Sequence, residues 1–362
     1  MSGLTGRACL LVCALLATHP TPSHAQAIRG RLMDSSSDAG IAGALVTLLD
    51  TTGSPIVQGV SGPTGRFLLR APHPGAFTLR VLRIGFAPWN TEVSLTAGQT
   101  SERTLVLADV RVVLPEVNVE GQPLCGSRAR EDSLSAVLWE QASTALSLTN
   151  EAVNSRRFRF YTVLQDRTVD SLGRQVRDMA PGDVSNLITQ WPVRSPPPDS
   201  LLVNGFVMNL EDVVDGPSWY GPDAEYLLSA PFFADHCFAL VPPGAGQPAD
   251  WVGLSFAPGL RSPHADIRGV LWIDRAHAEL RRLDFTYTRL PSWAHGRDAF
   301  GRLVFAPVPG GGWIVQRWLL RVPVPEVDYG TRRARFLEYR ESGGYVSQVL
   351  TADGREVVSF PP

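Results

Sequence analysis

Two segments of the sequence decide the fold: IRGRLMDSSSDAGIAGALVTLLD at residues 28–50 and GPTGRFLLRAPHPGAFTLRVLRIGFAPW at residues 62–89. Apolar and polar residues alternate along both, which is typical of strands with one buried face. Short turn sequences separate these strands, and Gly65 suits a turn position with positive φ. The pattern predicts a β-sandwich of about seven strands. Its predicted core includes Ala44, Val46, Leu48, Phe67, Phe77, Leu79 and Val81.

A series of short motifs runs through the same region. In order, they are Ile28-x-Gly30, Gly43-Ala44-x-Val46, Thr64-Gly65-x-Phe67, Gly75-x-Phe77-x-Leu79 and Ile84-Gly85-Phe86. The series resembles the carboxypeptidase regulatory-like domain, which implies a transthyretin-like sandwich over residues 27–120. That domain is non-catalytic and accompanies peptidases, outer-membrane receptors and surface proteins. It is grouped with starch-binding-like sandwiches, so carbohydrate binding stays open as an alternative function.

Composition excludes several functions. The 33 basic residues are all arginine and face 35 acidic residues, so no basic excess is present to neutralise nucleic-acid phosphates. Because lysine is absent, Schiff-base catalysis, a P-loop and a Ser-x-x-Lys nucleophile are excluded. The length of 362 residues predicts two or three domains.

The first 25 residues have the features of a secretory signal. Arg7 precedes a short apolar run, and Ser23-His24-Ala25 fits the small-x-small cleavage rule. The apolar run is too short for a stable membrane span, and no later segment reaches the roughly 20 apolar residues that a membrane helix needs. We therefore expect an exported protein without a transmembrane helix, located in the periplasm or associated with the outer membrane.

The rest of the chain predicts a second unit. Residues 121–131 form a predicted linker, and residues 132–362 a β-rich α+β domain. A helix starting near Asp132 or Ser133 would carry one apolar stripe, made of Leu134, Leu138, Ala142, Ala145 and Leu148. From residue 158 onward, alternating strands predict a curved antiparallel sheet wrapped on this helix. Residues 170–260 are less regular and rich in proline, with a short helix predicted at 223–229, and the segment is interpreted either as functional or as a surface insertion. Its hairpin at residues 267–290 is faintly similar to those of LolA-like periplasmic half-barrels. The predicted fold class is mainly β: a seven-stranded sandwich plus this α+β domain.

Two cysteines, Cys125 and Cys237, remain after removal of the predicted signal. In an oxidising compartment two such cysteines more often pair than stay free, which predicts a disulfide. A bridge over a loop of this length would contribute on the order of 4 kcal/mol. Catalysis by Cys237 with His236 is disfavoured, since adjacent residues of a strand point to opposite faces.

No complete catalytic motif or metal-ligand pattern is present in the sequence. The histidines are scattered, and the run Gly253-Leu254-Ser255-Phe256-Ala257 has alanine where a nucleophile elbow needs glycine. Acidic pairs such as Glu211-Asp212, or Glu279 with Asp284, are interpreted as solvated charges. We therefore expect no catalytic residue, no metal and no cofactor.

The most site-like cluster is Trp219-Tyr220 with Asp223. Aromatic faces beside carboxylates suit sugar stacking, but plain packing of a loop is the favoured interpretation of this cluster. The sequence predicts a non-catalytic exported envelope protein that binds an apolar ligand, a lipid, a glycan or a protein. Carbohydrate binding is the second hypothesis, and an uncharacterised enzyme the third.

Overall fold

The computed structural model describes residues 26–108, 124–125, 133–176, 184–189, 192–208, 216–259, 263–328, 330–331 and 333–361. The predicted signal at residues 1–25 and most of the predicted linker lie outside these ranges. The domain boundaries therefore stay predictions.

Seven strands form two packed sheets at the N-terminal end. They are β1 Ala27–Asp34, β2 Leu45–Leu49, β3 Pro55–Val60, β4 Arg66–Arg70, β5 Gly75–Leu82, β6 Trp89–Leu95 and β7 Thr100–Leu107. The sheets have the orders β4-β1-β7 and β3-β2-β5-β6. Val46, Leu48 and Phe77 are buried between them, and Gly65 has φ 78°, as predicted. The predicted seven-stranded sandwich is confirmed.

One large antiparallel sheet contains most of the remaining strands, in the order β10-β9-β19-β18-β17-β16-β15-β14-β13-β8 with β20 beside β19. The bounds are β8 Leu124–Cys125, β9 Phe158–Val169, β10 Val184–Thr189, β13 His236–Val241, β14 Trp251–Pro258, β15 Asp266–Asp274, β16 Glu279–Thr288, β17 Phe300–Val308, β18 Gly312–Asp328, β19 Arg333–Thr351 and β20 Glu356–Ser359. A separate short pair, β11 Val207–Met208 and β12 Ser218–Trp219, lies beside it. The predicted hairpin corresponds to β15 and β16.

One long helix, α1 Ser133–Asn154, covers part of the large sheet. Its predicted stripe is buried at Leu138, Ala142, Ala145 and Leu148. The helix packs mainly against β18, with α3 and β16 next. We call the face of the sheet that contacts α1 the inner face, and the opposite one the outer face. The predicted architecture of an antiparallel sheet with a helix is confirmed. Among the described residues, no helix combines the length and apolarity needed to cross a membrane.

The region that the sequence marks as irregular, residues 170–260, holds more structure than predicted. Its described residues include three short helices, α2 Pro198–Asn204, α3 Ala224–Leu227 and α4 Ala230–Asp235, besides the strands β13 and β14. Helix α3 falls inside the predicted helical segment 223–229. Apolar side chains of these helices, such as Leu227 and Phe232, belong to the core on the inner face. The segment is therefore part of the domain's core rather than a surface insertion.

The sandwich contacts one end of the large sheet. Leu45, Leu82 and Ile84 belong to the same buried cluster as the inner face. The backbone N–H of Gly85 donates to Oε1 of Gln141 on α1, at 3.0 Å. The backbone of the sandwich comes closest to the turn between β17 and β18. A Cβ added to Gly43 would lie only 2.5 Å from Cα of Gly311 in that turn.

We predict that Gly43→Ala destabilises the protein more than Gly53→Ala. Both glycines have positive φ, 72° and 84°, so both substitutions incur the left-handed strain of about 1–2 kcal/mol. An added Cβ at Gly53 meets nothing within 4 Å, whereas at Gly43 it meets Gly311. The clash should add about 1–3 kcal/mol to the loss, measured as the free energy of urea unfolding. Equal losses in the two variants would show that the sandwich does not press on the β17–β18 turn.

Candidate functional site

A groove of about 880 Å³ lies on the inner face, beyond helix α1 and away from the sandwich. One wall is the segment at residues 216–220, and the other consists of the far halves of β18 and β19. The lining is more apolar than polar, and its polar residues are Ser218, Glu326, Arg340 and Ser342. Its principal apolar side chains are Trp219, Leu320, Val322, Val324, Val327 and Leu337.

Trp219 is fixed by two neighbouring contacts. Its indole packs edge-on against the ring of Tyr287, with ring centroids 5.0 Å apart. The hydroxyl of Tyr287 donates to the carbonyl oxygen of Tyr220 at 2.8 Å. Burial raises the pKa of Tyr287 well above its ordinary value, so this hydroxyl keeps the proton that it donates. The 219–220 segment is therefore a preformed wall of the groove.

Asp223 does not face the groove. Its carboxylate is the N-cap of α3 and accepts from the backbone N–H of Tyr226 at 2.9 Å. The other carboxylate oxygen accepts from the backbone N–H of Ser195, also at 2.9 Å. The structure thus brings Trp219 and Tyr220 to one groove and gives Asp223 a structural task. A ligand-binding role for these three residues stays a prediction.

The sequence analysis missed the opposite wall of the groove. Leu320 and Val322 are two residues apart on β18, so they point to the same face, and this alternation is visible in the sequence. That β18 and β19 lie opposite Trp219, however, depends on the order in which the strands pair in the sheet. The alternation of apolar residues does not specify this order. Leu337 is 49 % exposed, which marks it as a groove residue rather than a core residue.

A buried histidine–aspartate pair lies elsewhere on the inner face. His236 is 1 % exposed, and its Nδ1 bonds the carbonyl oxygen of Phe232 at 2.9 Å. Its Nε2 lies 3.7 Å from Oδ1 of Asp266, which is too long for a hydrogen bond. Phe232 and Phe256 pack on the imidazole. Burial lowers the pKa of His236, although the nearby Asp266 opposes this, and burial raises the pKa of Asp266. The surroundings suit a core packing role for the pair.

Three potential metal ligands meet at the β15–β16 turn. Ligand atoms of Asp274, His277 and Glu279 lie within 4.8 Å of one another. A guanidinium nitrogen of Arg281 is 3.0 Å from the carboxylate of Asp274 and 2.5 Å from that of Glu279. Burial of Asp274 would raise its pKa, but hydrogen bonds from Arg281 and His277 lower it overall. The cation that this cluster holds is therefore the side chain of Arg281.

Glu279 and Asp284, the acidic pair considered from the sequence, bond to different arginines. Asp284 lies 2.9 Å from Arg282 and 2.6 Å from Arg302. The other acidic pair, Glu211-Asp212, falls outside the described residues. The carboxylates of Glu279 and Asp284 thus both form ion pairs with arginines.

The two cysteines of the predicted disulfide lie on neighbouring strands. Cys125 of β8 stands directly opposite Cys237 of β13 in the antiparallel register. Directly opposite residues of an antiparallel pair have Cα atoms about 4.5–5.5 Å apart, which falls within the range for a disulfide.

The family comparison concerns the sandwich. A family model described as the carboxypeptidase regulatory-like domain matches residues 27–108. This part of the chain is a carboxypeptidase regulatory-like domain. The match ends where the seventh strand ends, so it includes neither the large sheet nor the groove. No curated protein matches the chain.

Similar solved structures include two pilins. The pilus 2b backbone protein of group B streptococcus is 15 % identical, with 23 % of this chain and 40 % of that chain covered and a TM-score of 0.21. GBS52, the minor pilin of Streptococcus agalactiae, is 15 % identical over 26 % of this chain and 48 % of its own, also with a TM-score of 0.21. This chain thus spans less than half the length of either pilin. A DUF3823 family protein from Parabacteroides merdae is 11 % identical, with coverages of 74 % and 98 % and a TM-score of 0.20.

We predict that the buried His236 makes the fold sensitive to mild acid. The unfolded chain takes up a proton near the ordinary histidine pKa of 6.5, whereas the folded chain resists it because burial lowers the pKa of His236. The free energy of unfolding should therefore fall as pH drops from 7.5 to 5.5, measured by urea titration. The raised pKa of Asp266 acts against this fall, so the change in slope between wild type and His236→Gln measures the contribution of the histidine. His236→Gln should flatten this slope, and His295→Gln, at an exposed histidine, should keep it. An unchanged slope in His236→Gln would show that His236 is not the group responsible for the acid sensitivity.

Proposed function

We propose that this protein is a non-catalytic, exported binding protein of the bacterial envelope. In this proposal the carboxypeptidase regulatory-like domain is an interaction module, and the large sheet binds an apolar envelope component such as an acyl chain. The observation that supports the proposal is the preformed groove on the inner face, with a volume of about 880 Å³ and a mainly apolar lining.

The groove has the properties of a binding site for an apolar chain. Its volume lies within the range of about 300–1,000 Å³ that is common for small-molecule sites. Burying apolar ligand surface against Leu320, Val322 and Leu337 would contribute about 25 cal/mol per Å². Arg340 lines the groove and is 60 % exposed, so it suits the polar end of an amphiphile, although one of its nitrogens also lies 3.5 Å from Asp166. The hydroxyl of Ser342, also in the lining, already donates to Asp166. Apolar lining with few polar groups thus favours a ligand with an acyl chain.

The proposed export rests on the residues themselves. The basic start, the apolar run and Ser23-His24-Ala25 have the order of a signal sequence. A disulfide between Cys125 and Cys237, which the β8–β13 register allows, would need an oxidising compartment. Either periplasm or outer-membrane association is compatible with these features.

Carbohydrate binding is the second candidate function, and the observation that favours it is the indole of Trp219 in the groove wall. Sugar sites also need hydrogen-bonding side chains around the aromatic face. Here the nearest predicted carboxylate, Asp223, is already bonded to two backbone N–H groups. The surrounding aliphatic side chains therefore favour the apolar ligand over a sugar.

We predict that the exported chain carries the Cys125–Cys237 bridge. Alkylation of the purified, unreduced protein in denaturant should modify neither cysteine, and alkylation after reduction should modify both, as read by intact mass. The Cys237→Ser variant serves as the control, because it must leave Cys125 open to alkylation. Two free thiols in freshly isolated, non-reduced protein would contradict both the bridge and the export that it supports.

We predict that Leu337→Glu weakens binding of an apolar probe. The protein should enhance the fluorescence of N-phenyl-1-naphthylamine, and the variant should bind it about tenfold more weakly, since a charge then lies along the apolar wall. Leu337 is 49 % exposed, so the substitution should spare the fold. Leu68→Glu, at a residue 43 % exposed on the sandwich, is the matched control and should bind like the wild type.

A panel of soluble glycans, titrated under the same conditions, separates the two candidates. Probe binding that Leu337→Glu weakens, without glycan binding, supports the apolar ligand. Glycan binding without probe binding would replace it with the carbohydrate function. Equal probe affinity in Leu337→Glu and Leu68→Glu would reject the groove as the site.

A further inference from the structure

The outer face of the large sheet carries a second depression, separate from the groove. Its volume is about 350 Å³, and it crosses β17, β18, β19 and β9. Its charged lining residues are Asp166, Arg167, Arg302, Arg317 and Glu341, and Leu319, Gly343 and Tyr345 line it as well. No described helix among α1–α4 makes its main contacts on this face, because α1 packs on the opposite one.

A glycine forms the floor of the depression. Gly343 lies in the middle of the 19-residue strand β19, between Leu319 of β18 and Gln165 of β9. Glycine weakens a strand interior and often marks a place where something approaches the backbone. A Cβ at this position would lie 2.7 Å from the carbonyl oxygen of Trp318. The absent side chain leaves the opening between the arginines.

Two arginines at the rim are oriented by carboxylates. Nε of Arg302 donates to Oδ1 of Asp284 at 2.6 Å, and Nε of Arg167 donates to Oε2 of Glu341 at 2.5 Å. Within the described part of the chain, these bonds use Nε and not the terminal nitrogens of either guanidinium. Arg167 and Arg302 remain about half exposed, at 51 % and 48 %. Each therefore offers a terminal pair of N–H donors whose direction is already set.

Arg317 supplies a charge with no carboxylate partner among the described residues. Its guanidinium lies over the ring of Tyr345, 5.2 Å from the centroid, and the residue is exposed. Stacking on an aromatic ring orients a guanidinium without neutralising it. Of the three rim arginines, Arg317 is thus the one whose charge is uncompensated.

The surroundings carry an excess of positive charge. Glu341, 2 % exposed, is shared by Arg321 and Arg167, and Asp284 is shared by Arg282 and Arg302. A third carboxylate, Asp298, pairs with Arg321. A fourth carboxylate, Asp166, lines the depression and pairs with Arg340. Five arginines thus share four carboxylates among the described residues, and Arg317 is a sixth arginine outside these pairs.

We propose that the outer-face depression binds a phosphate group of an envelope component or of a soluble phosphate ester. Guanidinium forks match phosphate oxygens in pairs, and three of them surround the same opening. A carboxylate has only two oxygens and is satisfied by one fork, so three arginines suit a tetrahedral anion better. The depression is also wider than a phosphate alone, which leaves room for the glycerol or sugar that carries it.

The test titrates the whole exported chain with inorganic phosphate, with glycerol phosphate and with acetate by calorimetry. Arg317→Gln should weaken phosphate binding about tenfold, since it removes charged hydrogen bonds without exposing a buried carboxylate. Arg302→Gln should weaken it as well, while Asp284 keeps Arg282 as its partner. Arg355→Gln is the matched control, because Arg355 is 80 % exposed and lies in the β19–β20 turn.

Sedimentation with vesicles distinguishes the two sources of phosphate. Binding to vesicles containing phosphatidylglycerol, absent with phosphatidylcholine alone and lost in Arg317→Gln, supports a lipid headgroup. Binding of glycerol phosphate without vesicle binding supports a soluble ester. The proposal is overturned if neither form of phosphate binds, if acetate binds as well as phosphate, or if Arg317→Gln and Arg355→Gln weaken binding equally.

Discussion

The extent of α1 on the inner face governs the rest of the large domain. Helix α1 runs across the strands: Trp139 in its first half packs on Phe238 of β13, and Ala152 near its end belongs to a cluster with Phe160 of β9. A helix is about 10–12 Å wide, whereas strands of 17 and 19 residues reach about 55–65 Å. One helix therefore cannot cover the full length of β18 and β19. The sandwich contacts one end of the sheet, through Gly85 and Gly43, so the uncovered part of the inner face lies at the other end. The apolar groove lies on this uncovered part of the inner face.

On the outer face, the same strands carry charged side chains instead of a mainly apolar surface. Residues alternate between the faces, so Leu320 and Val322 point inward while Leu319 and Arg321 point outward. Apolar burial stabilises the inner face, and ion pairs around Asp284 and the buried Glu341 order the outer one. Each face of β18 and β19 thus presents a preorganised concavity, one apolar and one cationic.

Local patterns predicted those parts of the fold that depend on near neighbours. Alternation identified the sandwich strands, the stripe of Leu138 and Ala142 identified α1, and Gly65 marked its turn. The pairing of β19 with β9 joins residues about 180 positions apart, and no local pattern specifies it. For the same reason the sequence found Trp219 but not its opposite wall. It grouped Asp223 with Trp219, whereas in the structure one carboxylate oxygen of Asp223 caps α3 and the other accepts from the backbone N–H of Ser195. Proline-rich composition also concealed α2, α4 and β14 within a segment that looked irregular.

The bare backbone contact between Gly43 and Gly311 bears on how relatives of this chain can differ in length. No side chain separates the two segments, so an insertion in the β17–β18 turn would displace the sandwich from the sheet. At the β19–β20 turn, by contrast, an added Cβ on Gly354 would meet only open space. Among relatives of this chain, insertions and deletions should therefore accumulate at the β19–β20 turn. The β17–β18 turn should keep a fixed number of residues.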